Sequence, residues 1–532
     1  MAKRFAISCF IVLGVCIFLI AGMTLVMFLA PGFSVFGIKY IASNTHVINK
    51  KYTLVQEIGS FSGSIIVETH EIPVKVYFTE EWDYRIEYYD NFNGITSSKI
   101  EDPSITISRA ADGSAKISIK EYRRFLYESS SSQRYLKIFV PLASVSGSSS
   151  DYKTNLIFYA GASDVSFSKI MNSDLRIPAF NMIRVETSGK VNFNTPVNAK
   201  TYRYLTNSSI KFGADTTKGI NASNYILHSK RGSITINRAV QGDVTATTDA
   251  GDIKLLSCKN LTATTGYGTV HSAGKEKVIV NGLANINTKA GNVYLGKVLG
   301  AGENEINTRS GEVKIDKIID GTVKTTRGAI EIKSVGNVVI KTNIGRVQVE
   351  EVLESIDINS RRGNVYLGGK NMTVNNPTVY ATLGRVYVYS ASQTVDLKTV
   401  SGNIEFTNDN SEDITIVCGG KLKATNLRGE IEITAHDNVN LEFDDITDDV
   451  TITLKDTVKS VKIEALDNAY DEIRYLIRGK NVVRYGDNGA GSFTIREKSD
   501  VLSNSASVTS GPLLKVTGKY AKISLYMQNE SN

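Results

Sequence analysis

Thr308-Arg309-Ser310-Gly311-Glu312-Val313-Lys314-Ile315 and Thr342-Asn343-Ile344-Gly345-Arg346-Val347-Gln348-Val349 are one phrase written twice. In each, a Thr leads by three residues to a Gly, and the Gly leads to two apolar residues separated by a polar one. The phrase recurs at Gly189, Gly232, Gly251, Gly268, Gly291, Gly311, Gly328, Gly345, Gly363, Gly384, Gly402 and Gly429, with most intervals between 17 and 23 residues. The double-length gap between Gly189 and Gly232 holds a degenerate copy at Ser208, followed by Ile210 and Phe212.

Four columns are coupled across these copies. Two residues after each of the twelve glycines stands Val or Ile, and four residues after, eleven of twelve are apolar, with Ser272 the exception. Five residues before, eleven are apolar; three residues before, nine are Ser or Thr. Alternate residues of a strand face opposite sides, so the two apolar columns after the glycine share a core while the residues between them face solvent. The apolar column before the glycine supplies a second strand facing that core. Glycine is expected at the point of chain reversal because it accepts positive φ without a Cβ penalty.

A period this short holds two or three strands and too little apolar surface to fold alone, so it must stack on its neighbours. The pattern therefore predicts an all-β protein, a β-solenoid whose rungs take 17–23 residues each. A tandem immunoglobulin-like array fits less well, because one such period cannot build a seven-strand sandwich.

The array is flanked by different material. Phe5 to Ala30 is apolar or small throughout apart from Ser8 and Thr24, and follows Lys3 and Arg4. That length suits a transmembrane helix, which needs about 20 residues. The leading basic pair favours a cytoplasmic N-terminus and an extracytoplasmic body. A cleaved signal peptide is the rival, but the run exceeds the usual apolar segment and Pro31 is a poor place to cut. Val15 before Cys16, and Ile17 to Ala30 after it, argue against a lipidated Cys16.

Residues 31–150 read as a β-rich leading module that caps the array. Its strands are expected at Val74–Phe78, Tyr84–Tyr88 and Leu136–Pro141, with loops at Ser129–Ser132 and Ser144–Ser150. The array proper is assigned to residues 151–433. Residues 434–532 read as a C-terminal module and cap, with strands at Asn440–Phe443, Val450–Leu454 and Gly518–Leu525, and with Tyr470–Ile477 either helical or extended. Capping is expected because an exposed solenoid end is a row of unpaired backbone groups.

Composition narrows the function classes. The 61 basic and 54 acidic residues give a net charge of +7 spread along the chain. Without a basic cluster interleaved with aromatics, that balance gives no support to nucleic-acid binding. Cys9 and Cys16 lie in the apolar run while Cys258 and Cys418 are isolated, so neither a disulfide framework nor a CxxC metal site is expected.

These features resemble the family of bacterial envelope proteins known as putative adhesins. Its β-solenoid repeats pair a Gly-x-[Val/Ile]-x-apolar step with a preceding Thr- or Ser-bearing strand, often behind an N-terminal membrane helix. The match covers Phe61 to Ile433 and includes the strand ending at Pro141, which is similar to the family's lead-in to its repeats. What the resemblance implies is a solenoid, an envelope location and a binding role; it implies no catalytic residues and no cofactor.

A search for chemistry is consistent with that. His46, His70, His228, His271 and His436 share no metal-ligand spacing, and neither a dinucleotide loop, a Walker sequence nor a nucleophile elbow is present. Asp444-Asp445-Ile446-Thr447-Asp448-Asp449 offers four hard-oxygen ligands, Asp444, Asp445, Asp448 and Asp449. It lacks the glycine of an EF-hand loop and reads first as a solvated turn, with a cation site the weaker alternative.

The outward column three residues after the glycine is more distinctive. It carries Tyr294, Tyr366 and Tyr387, with Tyr380 and Tyr389 nearby. Flat aromatic faces with a hydroxyl suit sugar or protein binding, although tyrosine is also a good strand residue and cross-rung packing accounts for such a row.

The leading expectation is a non-enzymatic, membrane-anchored surface protein, an adhesin or envelope scaffold. Its partners would be the lipid bilayer, through the N-terminal helix, and a cell-wall polymer, glycan or surface protein; nucleic acid is not among them. The alternatives are a β-helical polysaccharide-processing enzyme, which needs acidic and basic residues converging from adjacent rungs, and a scaffold that polymerises end to end. Asn207, Asn221, Asn260, Asn371 and Asn529 begin N-glycosylation sequons, relevant only where the source glycosylates such sites.

Overall fold

The computed structural model describes residues 12–22, 25, 34–35, 38–51 and most of 64–528; within the last range, 80–84, 97–103, 110, 112–113, 121–124, 129–132, 142–153, 169–178, 195–196, 214–221, 370, 468–471, 488–492 and 505 are outside the description. The expected loops at Ser129–Ser132 and Ser144–Ser150, and most of the apolar run on either side of residues 12–22, fall outside the described residues. Residues 12–22 are helical. No helix among the described residues is long and apolar enough to cross a membrane.

The protein is an all-β solenoid of about 14 turns, and its chain divides into two compact units, Met1–Thr247 and Thr248–Asn532. In the first unit, one file of parallel strands runs from Ser64–Glu68 through Asn155–Tyr159, Ala179–Thr187 and Asn198–Thr206 to Asn224–Ser229. A second file runs from Val74–Thr79 through Val165–Phe167, Val191–Phe193 and Ile210–Phe212 to Ile234–Ala239. The copy at Ser208 is thus a full rung, with Ile210 in register between Val191 and Ile234.

Parallel rungs already begin in the leading module, which adds antiparallel strands to them. Ile38–Lys51 pairs with Arg85–Thr96, and Arg85–Thr96 in turn with Gln133–Pro141. The core of this unit is aromatic: Phe158, Phe167, Phe193, Tyr202, Tyr204, Phe212 and Tyr225 are all at most 1% exposed. Their rings meet at centroid separations such as 4.9 Å for Phe167–Phe193 and 5.4 Å for Tyr204–Phe212, spacings typical of favourable aromatic pairs.

The second unit stacks the same rung with aliphatic filling. Val293, Val313, Ile330, Val347, Val365, Val386 and Ile404 lie in register as one inward column, each no more than 1% exposed. Ile286, Ile306, Val323, Ile340 and Ile358 form the facing column, and all are fully buried. Burying a side chain of this size is worth roughly 1.5–3 kcal/mol, so stacking supplies what a single rung lacks.

Parallel pairing continues to the C-terminal strand Lys522–Gln528. Of the segment expected to be either helical or extended, Tyr470 and Asp471 lie outside the described residues and Arg474 to Ile477 are extended: Arg474–Asp487 forms an antiparallel pair with Phe493–Ser503 and lies parallel to Leu513–Thr517 and Lys522–Gln528.

The glycine column has a different cause from the reversal expected of it. Most of these glycines are not left-handed; Gly429 has φ 80°, and Gly345, at φ 158°, is nearly extended. What requires glycine is the neighbouring rung. A Cβ on Gly268, Gly291, Gly311, Gly328, Gly345, Gly363, Gly384 or Gly402 would stand 1.6–2.0 Å from the carbonyl oxygen of the corner glycine one rung earlier. Backbone packs on backbone at this corner, with no room for a side chain.

The Ser/Thr column completes the corner. The Thr308 and Thr325 hydroxyls accept from the N–H of Gly311 and Gly328 at 2.8 and 2.9 Å, and donate to the carbonyls of Gly291 and Gly311 one rung earlier. Each hydroxyl ties its own corner to the one before it and satisfies backbone groups that burial would otherwise leave unpaired. Cys418 takes the position in register with Thr399, where burial pushes its thiol up and keeps it protonated.

Gly429 belongs to a different part of the rung. Its phrase pairs Ile431 with Ile414 and Ile433 with Ile416, on the strand that precedes a corner, and the corner after Gly402 is Gly420, whose Leu422 is in register with Ile404. At Gly429 the left-handed backbone allows the bend between Leu422–Leu427 and Glu430–Ala435. The same local spelling therefore serves two turns.

Candidate functional site

With glycine, threonine and aliphatic columns committed to the corner and core, the outward columns on either side of the corner are left for recognition. On the strand after the corner in the second unit, one column reads Tyr294, Lys314, Glu331, Gln348, Tyr366, Tyr387, Glu405 and Lys423, one residue per rung in direct register.

Of the five tyrosines singled out by the sequence, the structure brings Tyr366 and Tyr387 together. Their rings stack at a centroid distance of 4.8 Å with planes 2° apart. Asn364 donates to the Tyr366 hydroxyl at 3.3 Å, Arg346 lies over the Tyr366 ring at 6.0 Å, and Arg385 donates to the Tyr387 hydroxyl at 3.5 Å. Tyr389 projects from the same strand two residues further along and is 40% exposed. Partial burial, with Glu405, Tyr387 and Tyr366 nearby, pushes its hydroxyl up, so it stays neutral and able to donate.

The other two lie apart. Tyr294 is four rungs from Tyr366 and donates to Glu312 at 3.2 Å; partial burial and that carboxylate raise its pKa. Tyr380 sits on the strand before the corner, in register with Asn359 and Lys398, with the Lys398 ammonium 5.7 Å over its ring.

Beyond the tyrosine stack the surface continues as a shallow groove of about 400 Å³, lined by Tyr387, Glu405, Lys423 and Asn440 among others. Nearer Tyr294 is a second concavity of about 390 Å³, most of whose charges are paired within the protein. Asp316 receives Lys277 at 2.7 Å and Lys333 at 3.1 Å, while Glu331 receives Lys314 at 3.2 Å and Arg346 at 2.8 Å. Partial burial pushes both carboxyls upward, but these hydrogen-bonded cations outweigh it and hold them below their ordinary range.

A third groove, of about 570 Å³, lies on the strand before the corner, where the sequence patterns singled out no residue. Asn287, Asn307, Lys324, Lys341 and Asn359 form one register column there, and Lys289, Arg309, Thr326, Asn343 and Arg361 stand two residues further along each rung. The signal was available in the sequence as one cation per period at either of two positions, but it emerges only when the columns preceding the glycine are read outward as well as inward.

The acidic turn distributes its carboxylates. Asp449 accepts from the Leu513 N–H at 2.9 Å and Asp448 from the Thr447 hydroxyl at 2.9 Å, while the Asp444 N–H donates to the Leu427 carbonyl. Asp445 stands beside them in the same turn. Among the described residues no group of three His, Cys, Asp or Glu side chains is placed to hold a metal ion. His271 lies 3.8 Å from Asp252 on the outward column.

Fold and faces together define a class, the all-β solenoid with extended side-chain ladders on its surface. No family model and no curated protein matches the chain. Among solved structures, a "putative cell adhesion protein" from Clostridium sporogenes is similar over 58% of this chain and 98% of its own, at 9% identity and a TM-score of 0.16, a likeness too low to build on.

Proposed function

We propose that this chain is a non-enzymatic, membrane-anchored surface protein whose solenoid presents a binding face outside the cytoplasmic membrane. The observation that carries the binding role is the parallel stack of Tyr366 and Tyr387, fixed by direct register on an outward column and bordering an open groove. Rigid aromatic faces beside amide and charged groups favour a glycan, a cell-wall polymer or a surface protein, because the binding area is organised before the ligand arrives.

The non-enzymatic part rests on the sequence, in which no catalytic motif was found. Asp252, Glu305, Asp316 and Glu331, held below their ordinary range by hydrogen-bonded partners, are poor candidates for a general acid, which needs a carboxyl raised toward neutrality. Anchoring is supported by Lys3 and Arg4 ahead of the apolar run, and by the exposure of Val12, Leu13, Val15, Ile17, Phe18, Leu19 and Ile20, each more than half uncovered. Apolar side chains this exposed on a helix suit lipid.

The deciding experiment is a glycan and cell-wall-polymer binding screen of the full chain in detergent, alongside the Tyr366→Ala, Tyr387→Ala double variant. At least one ligand should lose binding by about tenfold or more in the variant, the loss of two stacking faces. Equal binding by both proteins to every ligand retires the tyrosine face. Recovery of the protein in the soluble fraction after membrane pelleting, or failure of external protease to reach the solenoid in intact cells, retires the anchored topology.

A further inference from the structure

The groove on the strand before the glycine corner has a composition that the fold does not require. Five consecutive rungs line it, and each contributes two outward side chains: Asn287 and Lys289, Asn307 and Arg309, Lys324 and Thr326, Lys341 and Asn343, Asn359 and Arg361. Every pair holds one cation and one neutral hydrogen-bonding group. The cation moves between the two positions, but its count per rung does not change.

No carboxylate lines the groove. Lys324 pairs with Glu305 at 3.0 Å, whereas among the described residues Lys289, Arg309, Lys341 and Arg361 take part in no ion pair. This contrasts with the strand after the corner, where Lys314, Lys333 and Arg346 are each matched by an acid. Four unpaired cations along one groove repel one another, and a solenoid gains nothing from that repulsion. A ligand of opposite charge and similar periodicity removes it.

We infer that this groove binds a linear acidic polysaccharide, a chain bearing one carboxylate per sugar, laid along the stack of rungs. Rungs follow one another at about 4.8 Å, the spacing of adjacent strands, which is close to the length of one sugar unit in an extended chain. One cation per rung then meets one carboxylate per sugar, while the Asn amides and the Thr326 hydroxyl are left to exchange hydrogen bonds with sugar hydroxyls. The groove is lined by no aromatic side chain, and this disfavours single-stranded nucleic acid, whose bases need stacking platforms. The site is separate from the tyrosine face and stands or falls independently of it.

The test compares binding of the full chain in detergent to polygalacturonate, to uncharged dextran and to oligo-deoxythymidylate at fixed low salt. Polygalacturonate should bind tightest, with an affinity that falls steeply as salt is added. The double variant Arg309→Gln, Arg361→Gln should weaken that binding by about tenfold or more, since it removes two charge-assisted contacts. Lys455→Gln with Lys480→Gln, which removes the same charge from exposed sites elsewhere in this unit, should change it less than about threefold.

All four substituted side chains are exposed, and unchanged melting temperatures would show that the variants fold. Equal loss in the two double variants, equal affinity for dextran, tighter binding of the oligonucleotide, or no binding of polygalacturonate would each overturn the assignment.

Discussion

The two units build the same rung by opposite means. In Met1–Thr247 large rings crowd the core between Phe158 and Tyr225, and the corner positions alternate Ser163, Gly189, Ser208 and Gly232. In Thr248–Asn532 the core from Leu261 to Ile404 is filled by aliphatic side chains, and the corner is glycine on every rung from Gly251 to Gly420. A corner Cβ is thus tolerated where its neighbours lack one, and a wide aromatic interior accompanies the less uniform corner. Where the corner is uniform, side chains of nearly constant size suffice. Regularity of backbone and regularity of filling go together.

Core truncation should separate the units most strongly. Phe193→Ala removes a ring in contact with Phe167, Tyr202 and Phe212, and should cost about 4 kcal/mol, whereas Ile340→Val in the second unit should cost about 1 kcal/mol. Denaturant melts followed by circular dichroism read both. Similar losses would mean that the aromatic core is loosely packed and the contrast between the units is one of composition only.

The corner gives the next largest difference. Gly363→Ala would place a Cβ 1.6 Å from the Gly345 carbonyl oxygen and should destabilise by about 3 kcal/mol, because backbone on both rungs must shift. Ser208→Gly in the first unit should stay within about 1 kcal/mol of the parent. If Gly363→Ala is silent in the same melts, the corner is not the site of close approach described above.

Alkaline pH should act most strongly on the first unit, and more gently than these substitutions. Burial pushes the Tyr225 hydroxyl up to about 12, against the pull of Arg238. Its pKa in the unfolded chain is about 10, so folding favours the protonated form. The resulting stability is fully present below pH 10 and is lost as the pH rises through 12, an effect on the order of 2 kcal/mol. Tyr225→Phe should flatten this part of the pH profile while leaving a melt at pH 8 nearly unchanged. A variant that follows the parent between pH 10 and 12 would place the titration elsewhere.

Much of the solenoid was legible because its inward columns are one-dimensional: Val313, Ile330 and Val347 can be aligned without knowing what they touch. The role of Gly311 was not, since a glycine that yields to a carbonyl one rung away is spelled like a glycine that turns. Gly429 shows the same degeneracy, with a local phrase identical to the corner's but in register with Ile414 rather than with Ile404. Tyr366 and Tyr387 were visible as a pair because successive periods put them in one column. Tyr294 shares that column, but three intervening rungs separate it from them. The Lys289 to Arg361 groove escaped because its cation moves between two columns, so neither column alone is conspicuous; only their sum per rung is constant.

The corner also decides where the chain can change length. Intervals between corner glycines differ, and the two long ones, Gly268 to Gly291 and Gly363 to Gly384, place their excess at 273–278 and 368–373, beyond the short strands Val270–Ser272 and Val365–Leu367. The rung register resumes unchanged after both, with Val293 opposite Val270 and Val386 opposite Val365. The bend far from the glycine is therefore a docking port for foreign sequence. A peptide epitope inserted at 274–276 would be displayed at a fixed height on the stack, and its position could be set by counting rungs.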